Sequence, residues 1–158
     1  MSRDINEKYM REAIDISIQS VKSGGGPFGA VIVKDGCVLA KCSNSVTLEN
    51  DPTAHAEVNA IREACQLLGD FSLEGATLYS SCEPCPMCLS AAYWAKIDKI
   101  YFANNRSDAK KIQFDDEFIY EQIPLPPSER AIKSEQLLRD EAMEAFDLWQ
   151  NLESKVEY

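Results

Sequence analysis

Two cysteines and one histidine constrain this chain more than any other feature of its sequence. Cys85 and Cys88 are three residues apart, a spacing that places both sulfurs on one side of a helical turn, within reach of one metal ion. His55, the only histidine present, supplies a third ligand. Three protein ligands leave one position of a tetrahedral zinc ion open, as in catalytic zinc sites. The sequence therefore predicts one open Zn²⁺ site per subunit.

Glu57 follows His55 by two residues, where a carboxylate can move protons beside the metal without binding it. Zinc lowers the pKa of bound water from 15.7 to about 7, so a hydroxide-like nucleophile is available at neutral pH. A carboxylate next to the metal can take a proton from that water and deliver it to a leaving group. We therefore expect zinc-bound hydroxide as the nucleophile and Glu57 as the proton shuttle.

Two other kinds of site share part of the cysteine pattern. Cys82 extends it to C-x-x-C-x-x-C, which begins some iron–sulfur patterns, and Cys-x-x-Cys alone also occurs in redox motifs. No fourth cysteine follows Cys88, and neither alternative accounts for His55 and Glu57. The alternative outside enzymes is a metal-binding regulatory protein, with zinc or an iron–sulfur cluster and no turnover.

Charge and length limit the partners that this chain can have. Its 158 residues match one ordinary domain, and its formal net charge of −10 comes with scattered basic residues. A polynucleotide substrate needs clustered Lys and Arg, so nucleic acid is disfavoured and a small neutral substrate is favoured. The acidic N-terminus lacks the features of a signal peptide, and no apolar run is long enough for a membrane span. We expect a cytoplasmic protein.

The hydrophobic pattern predicts helices that alternate with strands, with helices on both faces of the sheet. Asp51 is interpreted as the N-cap of the helix that carries His55, with Pro52 at its first position and Gly69 at its end. The glycines of residues 24–26 are interpreted as a turn that brings backbone close to the site. The predicted helices are residues 4–22, 52–68, 86–95, 107–112 and 134–152, and the predicted strands are residues 28–33, 37–43, 77–80 and 99–103.

Three long segments resemble the cytidine deaminase superfamily, and within it the bacterial guanine deaminases. These segments are residues 25–36, 50–58 and 81–89, which include the H-x-E and P-C-x-x-C signature of zinc deaminases. The narrower resemblance depends on residues 93–95, on residues 114–116 with 118–120, and on the C-terminal tail. The resemblance implies a three-layer α/β/α fold with a mixed five-stranded sheet and helices on both faces.

The activity implied by the resemblance is zinc-dependent hydrolysis of guanine at C2 to xanthine and ammonia, a step of purine base catabolism or salvage. Zinc ligation then belongs to His55, Cys85 and Cys88, and proton transfer to Glu57. Asp116 matches an acid that helps to protonate the leaving amine. The residues that match the purine-binding positions of the family are Phe28, Asn44, Trp94 and the C-terminal Tyr158.

In similar proteins the C-terminal segment crosses to the partner subunit, which implies a domain-swapped homodimer of a single domain, residues 1–158. One departure from the family is Gln113, which replaces a common glycine just before Phe114 in the loop that presents Asp116. It weakens the assignment of the substrate more than the assignment of the chemistry. The alternatives within enzymes are deaminases of guanosine, a triazine or cytosine, and a tRNA adenosine deaminase, against which the acidic charge argues. Without the resemblance, core packing would explain Phe28 and Trp94 about as well.

Overall fold

The computed structural model describes residues 3–158 and contains two compact units, one ending at Asp116 and one running from Glu117 to Tyr158. No helix in this described range is both long and apolar enough to cross a membrane. A single domain over residues 1–158 stays a prediction. The elements, in chain order, are α1 (Arg3–Lys22), β1 (Gly29–Lys34), β2 (Cys37–Ser43), α2 (Val46–Glu49), α3 (Ala56–Leu68), β3 (Ala76–Cys82), α4 (Pro86–Trp94), β4 (Lys99–Asn104), α5 (Arg106–Lys111), α6 (Glu117–Gln122) and α7 (Arg139–Gln150).

The sheet of the first unit has the strand order β2-β1-β3-β4. β1 pairs antiparallel with both β2 and β3, whereas β3 and β4 are parallel. The predicted hairpin between β1 and β2 is confirmed, with Asp35 at φ 51° and Gly36 at φ 78°. Two successive positive φ angles are typical of the type I′ turn, whose twist matches that of the flanking strands.

Helices cover both faces of the sheet, because alternate residues of each strand point to opposite sides. Ile32 and Leu78 pack in a cluster with Ala60 of α3. Val33 and Tyr79 belong to a second cluster that contains residues of α1. The predicted three-layer α/β/α arrangement is therefore confirmed, and the central strands β1 and β3 are buried on both sides.

The expectation of five strands is wrong for the described residues, which form a sheet of four strands. After β4 the chain enters α5 at once, so no further strand returns to the sheet. The later stretch that joins α6 to α7 contains Pro124, Pro126 and Pro127, none of which can donate a ladder hydrogen bond. The mixed character of the sheet agrees with the prediction.

The start of α3 also differs from the prediction, because the helix begins at Ala56 and not at Pro52. Oδ1 of Asp51 accepts hydrogen bonds from the backbone N–H of Thr53 at 2.8 Å and from its hydroxyl at 2.7 Å. Asp51 therefore stabilises a turn ahead of the helix and does not cap it. The predicted end at Gly69 is confirmed by its left-handed φ of 66°.

The second unit contains a shorter final helix than the sequence predicts. α7 begins at Arg139 and ends at Gln150, whereas the prediction began near Ser134. Leu138, immediately before the helix, has a left-handed φ of 51°. A helix cannot continue through a left-handed residue, so the apolar periodicity before Leu138 does not extend it.

Candidate metal centre and active site

The N-terminal ends of α3 and α4 bring the three predicted metal ligands together. His55 is the residue just before α3, and Cys85 is the residue just before α4, which begins with Pro86. Nδ1 of His55 lies 3.6 Å from Sγ of Cys85 and 3.4 Å from Sγ of Cys88. All three ligand atoms lie within 4.8 Å of one another. The fold thus brings His55 next to two cysteines that lie 30 and 33 positions later in the sequence.

These distances and donor atoms fit a zinc ion. Tetrahedral zinc with Zn–S of about 2.3 Å and Zn–N of about 2.0–2.1 Å separates a ligand sulfur from a ligand nitrogen by roughly 3.6 Å. The two separations between His55 and the cysteine sulfurs are close to that value. Cys88 is buried and Cys85 is half-buried, so the group has both a protein-enclosed side and an accessible side.

Glu57 is buried beside this group and is held by two side chains. Its Oε1 accepts a hydrogen bond from the hydroxyl of Ser80 at 2.9 Å, and its Oε2 lies 3.5 Å from Sγ of Cys88. Burial raises the pKa of Glu57 above its ordinary value, and the hydrogen bond from Ser80 opposes that rise. A carboxyl group with a raised pKa takes up and returns a proton more readily near neutral pH.

The pKa values of the two thiols are shifted in opposite directions. The pKa of Cys85 is lowered, chiefly because Cys88 donates a hydrogen bond to its sulfur and also because His55 lies beside it. The pKa of Cys88 is raised by that same hydrogen bond and by burial. Thiolate is the form of cysteine that binds zinc, so Cys85 at the start of α4 is already suited to the role.

The corner between β4 and α5 holds the cysteine loop in place. The backbone N–H of Glu83 donates to the carbonyl oxygen of Asn104 at 2.8 Å. The carboxylate of Glu83 accepts from the backbone N–H of Arg106 at 3.1 Å, and Nε of Arg106 lies 3.5 Å from its other oxygen. These contacts fix the loop that leads to Cys85.

The zinc-binding region of one known family matches most of the first unit. The cytidine and deoxycytidylate deaminase zinc-binding region matches residues 3–104. The chain belongs to the cytidine and deoxycytidylate deaminase family. Zinc is therefore the metal expected at this group, and the donor atoms and distances described above fit zinc.

The similarity to one member of the deaminase family extends over nearly the whole chain. The chain is 48% identical over 154 residues to guanine deaminase of Bacillus subtilis strain 168, which covers 97% of this chain and 99% of that protein. The crystal structure of guanine deaminase from Bacillus subtilis superposes with a TM-score of 0.94 at 47% identity, covering 100% of this chain and 99% of that one. A tRNA-specific adenosine deaminase of Bacillus subtilis is 43% identical over 97 residues, which cover 61% of this chain and 60% of that protein.

Phe28 immediately precedes β1 and Asn44 immediately follows β2, so both lie at the same end of the hairpin. Both are predicted substrate-binding residues. Asn44 is buried, and its Oδ1 accepts from the backbone N–H of Val46 at 3.2 Å. A Cβ atom at Gly26 would lie 3.0 Å from that Oδ1, which explains the glycine in the turn. The ring of Phe28 meets the ring of Phe114 edge to face, with centroids 5.0 Å apart.

Asp116 ends the segment that follows α5, and it interacts electrostatically with Cys85 of the candidate ligand group. Burial is the largest cause of its raised pKa, and the charge of Cys85 raises it further. Gln113, three residues earlier, has a left-handed φ of 71°. Its backbone N–H bonds to the carbonyl of Lys110, and that of Phe114 bonds to the carbonyl of Ala109. This is a Schellman motif, whose left-handed position favours glycine.

The two other predicted substrate residues, Trp94 and Tyr158, have largely exposed side chains. Trp94 closes α4 and is 66% exposed, and the helical rise alone puts it about 9 Å along the axis from Cys88. Tyr158 ends the second unit and is 73% exposed. Their substrate-binding roles stay predictions.

Ser80 is a site residue that the sequence analysis missed. It lies in β3, two residues after the buried Leu78, and therefore faces the α3 side of the sheet. The sequence feature that could have indicated it is a serine among the apolar residues on the face of β3 that packs against α3. In the sequence alone that serine cannot be told from any other buried strand residue.

Proposed function

We propose that this protein is a zinc-dependent guanine deaminase, which converts guanine and water to xanthine and ammonia by hydrolysis at C2. The observation that carries this proposal is the end-to-end similarity to a guanine deaminase, at 48% identity over 97% of the chain. The protein is an enzyme of the hydrolase class that acts on a purine base.

His55, Cys85 and Cys88 are the residues that would hold the zinc ion. When bound, zinc supplies Lewis acidity and makes water reactive at neutral pH. Glu57 takes one proton from the attacking water and delivers it to the ring nitrogen, where it stays in the product. It then moves the remaining proton of that water to the amine, which leaves as ammonia. Its carboxylate is suited to both transfers because it is buried next to the ligands without belonging to them. Asp116 assists protonation of the amine.

Four residues are proposed to hold the purine. Oδ1 of Asn44 is engaged by Val46, so its amide N–H groups are the part that it offers to a ring acceptor. Phe28 supplies an aromatic face that is already ordered by Phe114. Trp94 packs on the ring, and Tyr158 closes the pocket.

A tRNA adenosine deaminase is the second candidate, since one such relative is 43% identical over 97 residues. That similarity covers only 61% of this chain. The net charge of −10 also opposes binding to a phosphate backbone. Guanosine, cytosine and triazines are further ring substrates to be tested.

The assembly that we propose is a homodimer in which the C-terminal segment crosses to the partner subunit. Support comes from the second unit, whose large apolar side chains are exposed in the single chain. We also propose a cytoplasmic location, which the free cysteines support because unpaired thiols persist in a reducing compartment.

The deciding experiment measures xanthine and ammonia after zinc-loaded protein is incubated with guanine. Parallel incubations contain guanosine, cytosine, adenine and a tRNA anticodon stem-loop. Guanine should react, and the other compounds should react poorly because a site built to bind one hydrogen-bonding pattern rejects analogues that leave its groups unpaired. Turnover of cytosine or adenine without turnover of guanine would contradict the proposal.

A further inference from the structure

We infer that Ser80 is a positioning residue for the proton shuttle, which makes the two carboxylate oxygens of Glu57 inequivalent. Oε1 is anchored by the serine hydroxyl, and Oε2 is the oxygen that carries the proton. The inference is about the orientation of Glu57, and it goes beyond the assignment of Glu57 as the shuttle.

The contacts of the two oxygens support this division. Oγ of Ser80 donates to Oε1 at 2.9 Å, whereas Oε2 lies 3.5 Å from Sγ of Cys88. The Oε2 side of the carboxylate therefore faces the ligand group, and the Oε1 side faces the sheet. Ser80 is 1% exposed and Glu57 is 5% exposed, so bulk water does not replace this hydrogen bond.

The terminal torsion of a glutamate is soft, so the carboxylate needs an external anchor to keep one orientation. Rotation about such an sp³–sp² bond is broad and roughly two-fold. Hydrogen bonds to charged groups are stronger than those between neutral groups, and the buried hydroxyl provides one. Loss of the anchor lets the carboxylate turn away from the direction in which proton transfer is efficient, and a misplaced catalytic group costs much of the rate.

The anchor itself is held rigidly by the sheet. Ser80 lies in β3, which is buried along its whole length, and it is paired with Ala30 of β1. Its neighbour Ser81 is equally buried but points to the other face of the strand. Oγ of Ser81 accepts from the backbone N–H of Gly29 at 3.0 Å. Ser81 thus offers a matched control, a buried serine hydroxyl with one hydrogen bond that does not touch Glu57.

The test compares Ser80→Ala, Ser80→Thr and Ser81→Ala as zinc-loaded proteins. We expect Ser80→Ala to lower kcat by roughly 10- to 100-fold with little change in KM and with full zinc content, since the anchor acts on a proton-transfer step. Ser80→Thr keeps a hydroxyl and should recover most of the rate. Ser81→Ala should lower thermal stability to a similar degree as Ser80→Ala while losing far less kcat. Equal kcat losses in the two alanine variants, or no loss in Ser80→Ala, would overturn the inference.

A second measurement does not require turnover. Infrared difference spectra of zinc-loaded, ¹³C-glutamate-labelled protein, assigned against Glu57→Gln, report the carboxyl bands of Glu57. Ser80→Ala should shift these bands and Ser81→Ala should not; unshifted bands in Ser80→Ala would overturn the anchor. The kcat comparison rests on the proposed guanine reaction, whereas the spectra do not. An inactive wild-type protein would therefore refute the proposed function, while the spectra would still decide the role of Ser80.

Discussion

The two compact units of this chain differ in how their residues are supported. In the first unit, large side chains such as Ile32, Leu78 and Tyr79 are completely buried between sheet and helices. In the second unit no residue from Glu117 to Tyr158 is buried, and apolar side chains such as Phe146 are 70% exposed. Burial of apolar surface is the main term that offsets the entropy lost on folding. The first unit is therefore stabilised by its own buried core, whereas residues 117–158 have no such core.

This contrast predicts where substitutions act. Changes at the metal centre should abolish chemistry without altering association, because the ligands rest on the core of the first unit. Changes in the second unit should alter substrate affinity or association while the metal stays bound. The expected effects below run from the largest to the smallest.

Cys88→Ser should remove zinc and, with it, all measurable turnover. Cys88 is a buried member of the proposed ligand group, and its loss should cost more zinc affinity than the roughly 10- to 100-fold that loss of an outer partner costs. Zinc content by atomic emission and turnover of guanine are the measurements. Cys37→Ser, at an exposed cysteine, is the control. A Cys88→Ser protein with full zinc content would show that the ligand set is wrong.

Glu57→Gln should lower kcat by about 10²- to 10⁴-fold while zinc remains at one ion per chain, because glutamine cannot transfer the proton. Glu63→Gln on the same helix is the matched control, since Glu63 accepts a hydrogen bond from Cys42 and not from the ligand group. Loss of zinc from Glu57→Gln would mean that Glu57 is a ligand.

Tyr158→Ala should raise KM for guanine by roughly tenfold with a smaller effect on kcat, as expected for the loss of one aromatic contact to the purine. Steady-state kinetics and zinc analysis separate this effect from damage to the metal centre. Glu153→Ala, an exposed substitution in the same tail, should leave KM unchanged. An unchanged KM in Tyr158→Ala would remove Tyr158 from the substrate site.

Sedimentation should give a mass twice the 17.7 kDa of one chain. Phe146→Glu, which introduces a charge among the exposed apolar residues of α7, should shift this equilibrium toward monomer without loss of zinc. Ser134→Glu, which places the same charge outside α7, is the comparison. A fully active monomeric wild-type protein would contradict the proposed dimer.

Gln113→Gly should raise the free energy of unfolding by about 1 kcal/mol, because glycine adopts the left-handed φ of 71° without the cost that other residues incur. For a chain of this size the melting temperature should rise by roughly 2–4 °C. Ala109→Gly within α5 is the control and should have the opposite sign, since glycine is unfavourable inside a helix. A lower melting temperature in Gln113→Gly would show that the glutamine side chain stabilises the turn.

Local patterns were sufficient where the structure depends on neighbours in sequence. The hairpin at Asp35 and Gly36 and the end of α3 at Gly69 follow from the φ angles that those residues tolerate. The proximity of His55, Cys85 and Cys88 was also predictable, because metal binding restricts the residue types that occur in such a pattern.

Tertiary structure alone decided features that join distant segments. Asp51 is a residue type that often caps helices, yet its carboxylate accepts hydrogen bonds from Thr53 and the helix starts at Ala56. The resemblance implied a fifth strand that the described chain does not form. The contact from Ser80 to Glu57 joins a strand and a helix 23 residues apart. No local propensity encodes such a contact, because it exists only once the sheet and α3 have packed together.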